Sequence, residues 1–265
     1  MTLSIAWVRK IRDTEELVFA TDSRVRGGLE WDACPKLFTF DRSDCAMAFA
    51  GHTFYAYPNI QQIRATLDAI PKVKSGAADL SYVRHVALHV LESMRSSISG
   101  RVPGITDATD INTELLLGGY SWRTDRFMLW RLFFDAAIGK FRYDSAPRKR
   151  QILFAGNSDA VKDARTRIVT LVHERGVGPH YNMEPFEVLR DICRGKLYID
   201  IRGPVQLLKV YKHHNTMPYC IYWPTRASGT LTYLGRTLAS FEDLPYFRLD
   251  PDTLQTLDSF RFEPR

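Results

Sequence analysis

Apolar and polar positions alternate from Leu3 to Val8, a second β-rich run covers Leu17-Val18-Phe19-Ala20, and charged residues from Arg9 to Glu16 separate them. A period of two with branched and aromatic side chains predicts strands near 3–9 and 17–22, joined as a hairpin with a charged tip. Similar runs near 35–41 and 45–51 complete a first β-rich block, with Gly27-Gly28 in a loop between its second and third strands. The period then changes. Thr53 is placed to cap a helix that reaches Ala69 and stops before Pro71. Ala77 to Ser97 repeats apolar residues at helical spacing: Leu80, Val83, Ala87, Val90, Leu91 and Met94. Gly100 to Asp110, with Pro103 and Gly104, reads as a loop. Strands follow at 114–120, 126–134, 139–143 and 151–155, then helices at 158–175 and 185–194, and closing strands at 204–210 and 218–222.

Strands, two helices, strands, two helices, strands is an α+β order. It predicts a four-layer αββα sandwich, two antiparallel sheets face to face with helices outside each, and no doubly wound parallel sheet. The chain of 265 residues is long enough for one large domain or two small ones. Residues 224–265, with Pro224, Pro245 and Pro251, carry too little apolar sequence for a core of their own, so they read as a C-terminal extension on a domain of 1–223.

Composition narrows the function classes. With 45% hydrophobic and 25% charged residues it is ordinary for a soluble protein, no apolar run is long enough to span a bilayer, and no secretory signal is recognisable. A cytoplasmic protein without membrane association is expected. Cys34, Cys45, Cys193 and Cys220 have no paired spacing, which argues against a disulfide framework or a zinc site. The net charge of +6 comes from 36 basic residues spread among 30 acidic ones, so nucleic-acid binding is not expected. His85 and His89 are one helical turn apart, but Val86-Ala87-Leu88 between them lacks the glutamate of a metalloprotease motif, and no metal site is assigned. Arg148-Lys149-Arg150 and the run 209–214 are basic clusters, either solvated faces or contacts for acidic substrates or a neighbouring subunit. The aromatic set Phe127, Trp130, Phe133 and Phe134 reads as sheet core or subunit interface.

The candidate chemistry lies at the N-terminus. Removal of Met1, usual before a small residue, would leave Thr2 with its hydroxyl and a free α-amine on one amino acid. That amine titrates near roughly 7.7–8.0, close enough to neutrality to act as a base. The hairpin returns Asp22 beside the start of the chain, and a further strand beginning at Cys34-Pro35-Lys36 can place Lys36 between them.

Thr2, Ala20-x-Asp22-x-Arg24, Lys36-Leu37 and Ala48-Phe49-Ala50-Gly51 together resemble the proteasome β-subunits and their bacterial HslV relatives, N-terminal-nucleophile hydrolases. The resemblance covers about residues 2–223 and implies the αββα sandwich. It further implies that Thr2 attacks, Lys36 lowers the pKa of the site, Asp22 holds Lys36, the Gly51 amide helps bind the oxyanion, and Phe49 lies at the base of a substrate pocket. Phe154-Ala155-Gly156-Asn157-Ser158-Asp159 resembles the family's Gly-Ser-Gly turn, with Asn157 at the serine position and Ser158 at a glycine position. Equally, Asn157 or Ser158 can cap the following helix. Tyr198 to Gly203 resembles the family's Asp-x-x-Ser-Gly with Arg202 in place of the serine: Asp200 pairs with Arg202 and orients the Thr2 amine, or the two form a surface ion pair.

A threonine-type peptidase acting on peptides or unfolded protein follows from the resemblance, needing no metal or organic cofactor. The same resemblance implies a ring or related homo-oligomer and, as partner, an ATP-dependent unfoldase. Two alternatives stand beside it: a catalytically inactive scaffold subunit, which retention of Met1 would favour, and a small-molecule amidase of the same superfamily.

Overall fold

The structure, a computed structural model, describes residues 2–26, 29–99, 113–176, 178, 180–213 and 215–257. The loops expected at Gly27-Gly28 and over 100–110, the last residue of the basic run 209–214 and residues 258–265 of the C-terminal extension lie outside these.

Strands β1 (Leu3–Ile11) and β2 (Thr14–Thr21) pair antiparallel from Ser4↔Thr21 to Ile11↔Thr14. The hairpin is longer than predicted, because most of the charged segment is strand. Arg9 faces Glu16 and Lys10 faces Glu15, with ion-pair distances of 2.7 and 3.6 Å, so opposite charges extend the ladder. Only Arg12 and Asp13 turn the chain, Arg12 at φ +53. Next come β3 (Val25–Arg26), β4 (Glu30–Trp31), β5 (Leu37–Thr39) and β6 (Cys45–Gly51). Helix α1 runs Thr53–Ala69, but its N-cap is His52 and not Thr53, and no side chain caps it. Helix α2 (Pro71–Lys74) and helix α3 (Leu80–Ser96), whose N-cap Asp79 accepts from the Ser81 amide, complete the helical segment. After them come β7 (Thr113–Ser121), β8 (Arg126–Asp135), β9 (Lys140–Ser145) and β10 (Ile152–Gly156), then α4 (Ser158–Glu174) and α5 (Glu184–Arg194). The chain closes with β11 (Gln206–Tyr211), β12 (Asn215–Tyr222), β13 (Leu231–Tyr233), β14 (Arg236–Thr237), β15 (Arg248–Leu249) and β16 (Thr256–Leu257).

The expected four-layer αββα sandwich of two antiparallel sheets needs correction. Among the described residues the strands form three sheets, of nine, five and two strands, with five α-helices. The largest, in the order β10-β1-β2-β11-β12-β13-β14, branches at β12, which also pairs β15 in parallel. The branch arises because residues beyond 223 hydrogen-bond onto Cys220 to Tyr222 of β12. The five-stranded sheet, β5-β6-β7-β8-β9, is antiparallel throughout, and β3-β4 is a separate ribbon.

Period two along β1 and β2 divides the core. Leu3, Ile5, Trp7, Val18 and Ala20 pack against Ala160, Ala164 and Ile168 of α4 and Phe186 and Leu189 of α5. Ala6, Leu17 and Phe19 turn the other way, onto Ala46, Ala48 and Leu116 of the five-stranded sheet. A third cluster lies between that sheet and helices α1 and α3 and includes Met47, Phe49, Ile60, Val83 and Trp130. Ile5 and Phe19, fully buried on opposite faces of the hairpin, contribute about 1.5–3 kcal/mol each. The end of the hairpin that carries Thr2 and Asp22 is removed from water on both faces. No helix among the described residues is long and apolar enough to cross a membrane.

Candidate active site

Thr2 precedes β1, Asp22 follows β2 and Lys36 precedes β5, so three strand ends deliver the three side chains. All are buried, Thr2 to 3% exposure and Asp22 and Lys36 to 0%. Lys36 Nζ donates to Thr2 Oγ1 at 2.8 Å, to Asp22 Oδ2 at 2.9 Å and to the Arg24 carbonyl at 2.5 Å. Three acceptors match the three protons of an ammonium. Because Thr2 Oγ1 accepts from Lys36, its own proton remains available to a base.

Asp22 is fixed from two more sides. The Leu3 amide donates to Oδ1 at 3.1 Å and the Arg24 amide to Oδ2 at 3.0 Å. Burial pushes the Asp22 carboxyl above the usual carboxylate range, while the Lys36 charge and these two amides pull it back. The Arg24 carbonyl is positioned in turn: the guanidinium grips Asp32 through Nε and Nη2, at 2.5 and 2.7 Å, and donates to the Ile199 carbonyl at 2.8 Å.

A buried glutamine that sequence reading did not single out joins the strands behind the site. Gln206 Oε1 accepts from the Lys36 amide at 2.9 Å, and Nε2 donates to the Cys34 carbonyl at 2.7 Å and to Ser23 Oγ at 2.9 Å. Its signal was available: one amide side chain directly before an apolar pair, Gln206-Leu207-Leu208. Gly156, the first residue of the turn read as resembling Gly-Ser-Gly, packs on the backbone of Thr2. It sits at φ +127 against the Thr2 backbone, where an added Cβ would lie 1.8 Å from the Thr2 carbonyl oxygen, so only glycine fits. The Asn157 amide donates to the same oxygen at 3.0 Å. Glu114 accepts from the Gly156 amide at 3.0 Å, and burial raises its carboxyl.

Of the remaining sequence-predicted positions, Asn157 meets the cluster through its backbone amide at the Thr2 carbonyl. Asn157 caps α4, its Oδ1 accepting from the Ala160 amide at 2.9 Å, and Ser158 is the first helical residue. The expected pairing of Asp200 with Arg202 is corrected: Asp200 Oδ1 bonds Arg26 Nη1 at 2.5 Å, because the β3-β4 ribbon brings Arg26 across it. Arg202 acts through its backbone, its carbonyl accepting from the Ser23 and Arg24 amides at 3.1 and 3.0 Å. Gly51 ends β6 opposite Thr113 at φ +111. Ser4 Oγ, donating to the Phe49 carbonyl at 2.8 Å, ties that end of β6 to β1. Phe49 itself is fully buried against Phe38 and Tyr57, with ring centroids 6.2 and 5.3 Å away. His85 and His89 stack edge-on at 4.2 Å on an exposed face of α3, and no group of three or more metal-ligating side chains occurs among the described residues.

No family model matches the chain, and no curated protein matches it in sequence. Solved structures do match its fold. Anbu from Pseudomonas aeruginosa, solved as a helical assembly, superposes with a TM-score of 0.59 at 16% identity, covering 91% of this chain and 88% of that one. In fold, this chain is similar to Anbu. A Gly-1 mutant of Anbu from Hyphomicrobium sp. strain MC1 gives 0.58 at 16% identity over 82% and 85% of the two chains. Anbu from Yersinia bercovieri, described as an ancestral beta-subunit, gives 0.57 at 15% over 82% and 86%. These neighbours correct the resemblance read from the N-terminal motifs: these solved structures are Anbu, where the motifs pointed to proteasome β-subunits and HslV. At such identity the likeness carries the fold alone.

Proposed function

We propose that this chain is an N-terminal threonine hydrolase that cleaves peptide amide bonds. The observation that carries the reading is the Lys36 ammonium, 2.8 Å from Thr2 Oγ1 and 2.9 Å from Asp22 in a site closed to solvent. In the proposed reaction Met1 is removed and Thr2 Oγ attacks the substrate carbonyl. The hydroxyl proton passes to the α-amine as the Oγ–C bond forms. The C–N bond then breaks, and the amine returns the proton to the departing nitrogen. Water activated by the same amine hydrolyses the acyl-threonine ester. The Lys36 charge stabilises negative charge developing on Oγ and favours the neutral, basic form of the amine. The Gly51 amide is our candidate oxyanion donor.

Fluorogenic peptides test this. The purified chain is expected to release fluorophore, with kcat/KM falling as pH drops through the α-amine range, about 7.7–8.0 when unperturbed and lower beside Lys36. A protonated amine has no lone pair to accept the hydroxyl proton. Absence of turnover on any peptide, with a small amide hydrolysed instead, would replace the peptidase reading by the amidase one.

We further read the chain as a homo-oligomer that receives unfolded protein, with an ATP-dependent unfoldase as partner. The support is the fold likeness to an Anbu that forms a helical assembly. Light scattering on purified protein is expected to give a particle many times the 30.4 kDa chain mass. A strict monomer at micromolar concentration would contradict it.

A further inference from the structure

Gly156, whose backbone meets the Thr2 carbonyl, also lines a cleft of about 500 Å³. Its other walls include Glu114, Arg131 and Phe154 from the strands and Lys162 and Arg165 from α4. The charges there do not cancel. Glu114 is already engaged by the Gly156 amide at 3.0 Å and by Arg131 at 3.4 Å, and Arg131 also holds Asp144 at 2.6 Å. Lys162 and Arg165 are exposed and form no ion pair among the described residues; the Arg165 guanidinium lies 4.9 Å from the Phe154 ring centroid. Two cations that no carboxylate among the described residues neutralises thus flank a cleft whose wall, at Gly156, meets the backbone carbonyl of Thr2. An anionic group entering it meets a favourable field.

We propose that this cleft binds a carboxylate of the peptide substrate, so that peptides with an acidic side chain near the scissile bond are preferred. The proposal rests on the reading of Thr2 as nucleophile. The recognition element is Lys162 with Arg165, and Arg131 and Glu114 form the fixed polar wall behind it.

The test compares fluorogenic peptides that differ only in Glu against Gln, placed in turn at each position beside the cleaved bond. Wild type is expected to prefer Glu at one of these positions by on the order of tenfold in kcat/KM, the size two partly exposed ion pairs supply. In Lys162→Glu/Arg165→Glu, with folding checked by circular dichroism, the preference is expected to vanish or invert. Equal rates on both peptides in wild type, or an undiminished preference in the double variant, would overturn the proposal. A second arm is independent of turnover: Thr2→Ala protein is expected to bind a labelled Glu peptide about tenfold tighter than its Gln counterpart by fluorescence anisotropy. Adding the double substitution should erase that difference. Equal binding overturns the cleft assignment even if peptides are cleaved, whereas selective binding without cleavage upholds it and sinks the nucleophile reading.

Discussion

Lys36→Ala is expected to abolish turnover and to destabilise the fold in one step. The substitution leaves the Asp22 carboxylate at 0% exposure with only two backbone amides for partners, and losing one member of a buried pair costs about 3–5 kcal/mol. It also removes the charge beside Thr2 Oγ1, for which a loss of about 10²–10³ in kcat is the usual scale for an electrostatic donor. Urea denaturation and peptide turnover separate the two effects. The double variant Asp22→Asn/Lys36→Ala removes both charges, so it should recover much of the lost stability and none of the activity. Wild-type turnover by folded Lys36→Ala would remove this lysine from the mechanism.

Thr2→Ala should have the largest effect on chemistry and a small one on the fold. It deletes the proposed nucleophile, whose loss in hydrolases that act through a covalent intermediate can reach about 10⁶ in kcat. Structurally, it removes only one acceptor from Lys36, which keeps Asp22 and the Arg24 carbonyl, so the stability cost is on the order of 1 kcal/mol. Thr2→Ser keeps a hydroxyl and should retain measurable turnover. Equal activity in Thr2→Ala and wild type would show that any hydrolysis occurs elsewhere.

How much of this was readable beforehand depends on sequence distance. Thr2, Asp22 and Lys36 meet through a single hairpin and the start of β5; the hairpin followed from period-two patterning, and a strand beginning at Lys36 from local order. Gln206 reaches the Lys36 amide from 170 residues away, through the pairing of β11 with β2, and periodicity says nothing about which strands pair. Gly156 was visible as a glycine, but its close approach to Thr2 depends on the register Leu3↔Gly156 between β1 and β10. Charged residues at 9–16 read as turn because polar side chains discourage a strand assignment, whereas cross-strand partners of opposite sign make them good strand ends. Strands β13 to β16 are two or three residues long, too short for any period, so their addition to the sheet was invisible. The pairing of Asp200 with Arg202 came from the resemblance to Asp-x-x-Ser-Gly, which holds no information about the β3-β4 ribbon that brings Arg26 to Asp200 instead.

The central claim is that Thr2 acts with its own α-amine as base, and intact-mass measurement of protein purified from cells tests it most directly. The account predicts a species lacking Met1 and nothing else, so that the chain begins with a free Thr2. A uniform species that keeps Met1 would contradict it, because an amide nitrogen at Thr2 cannot take the hydroxyl proton, and would leave the fold with a scaffold's role.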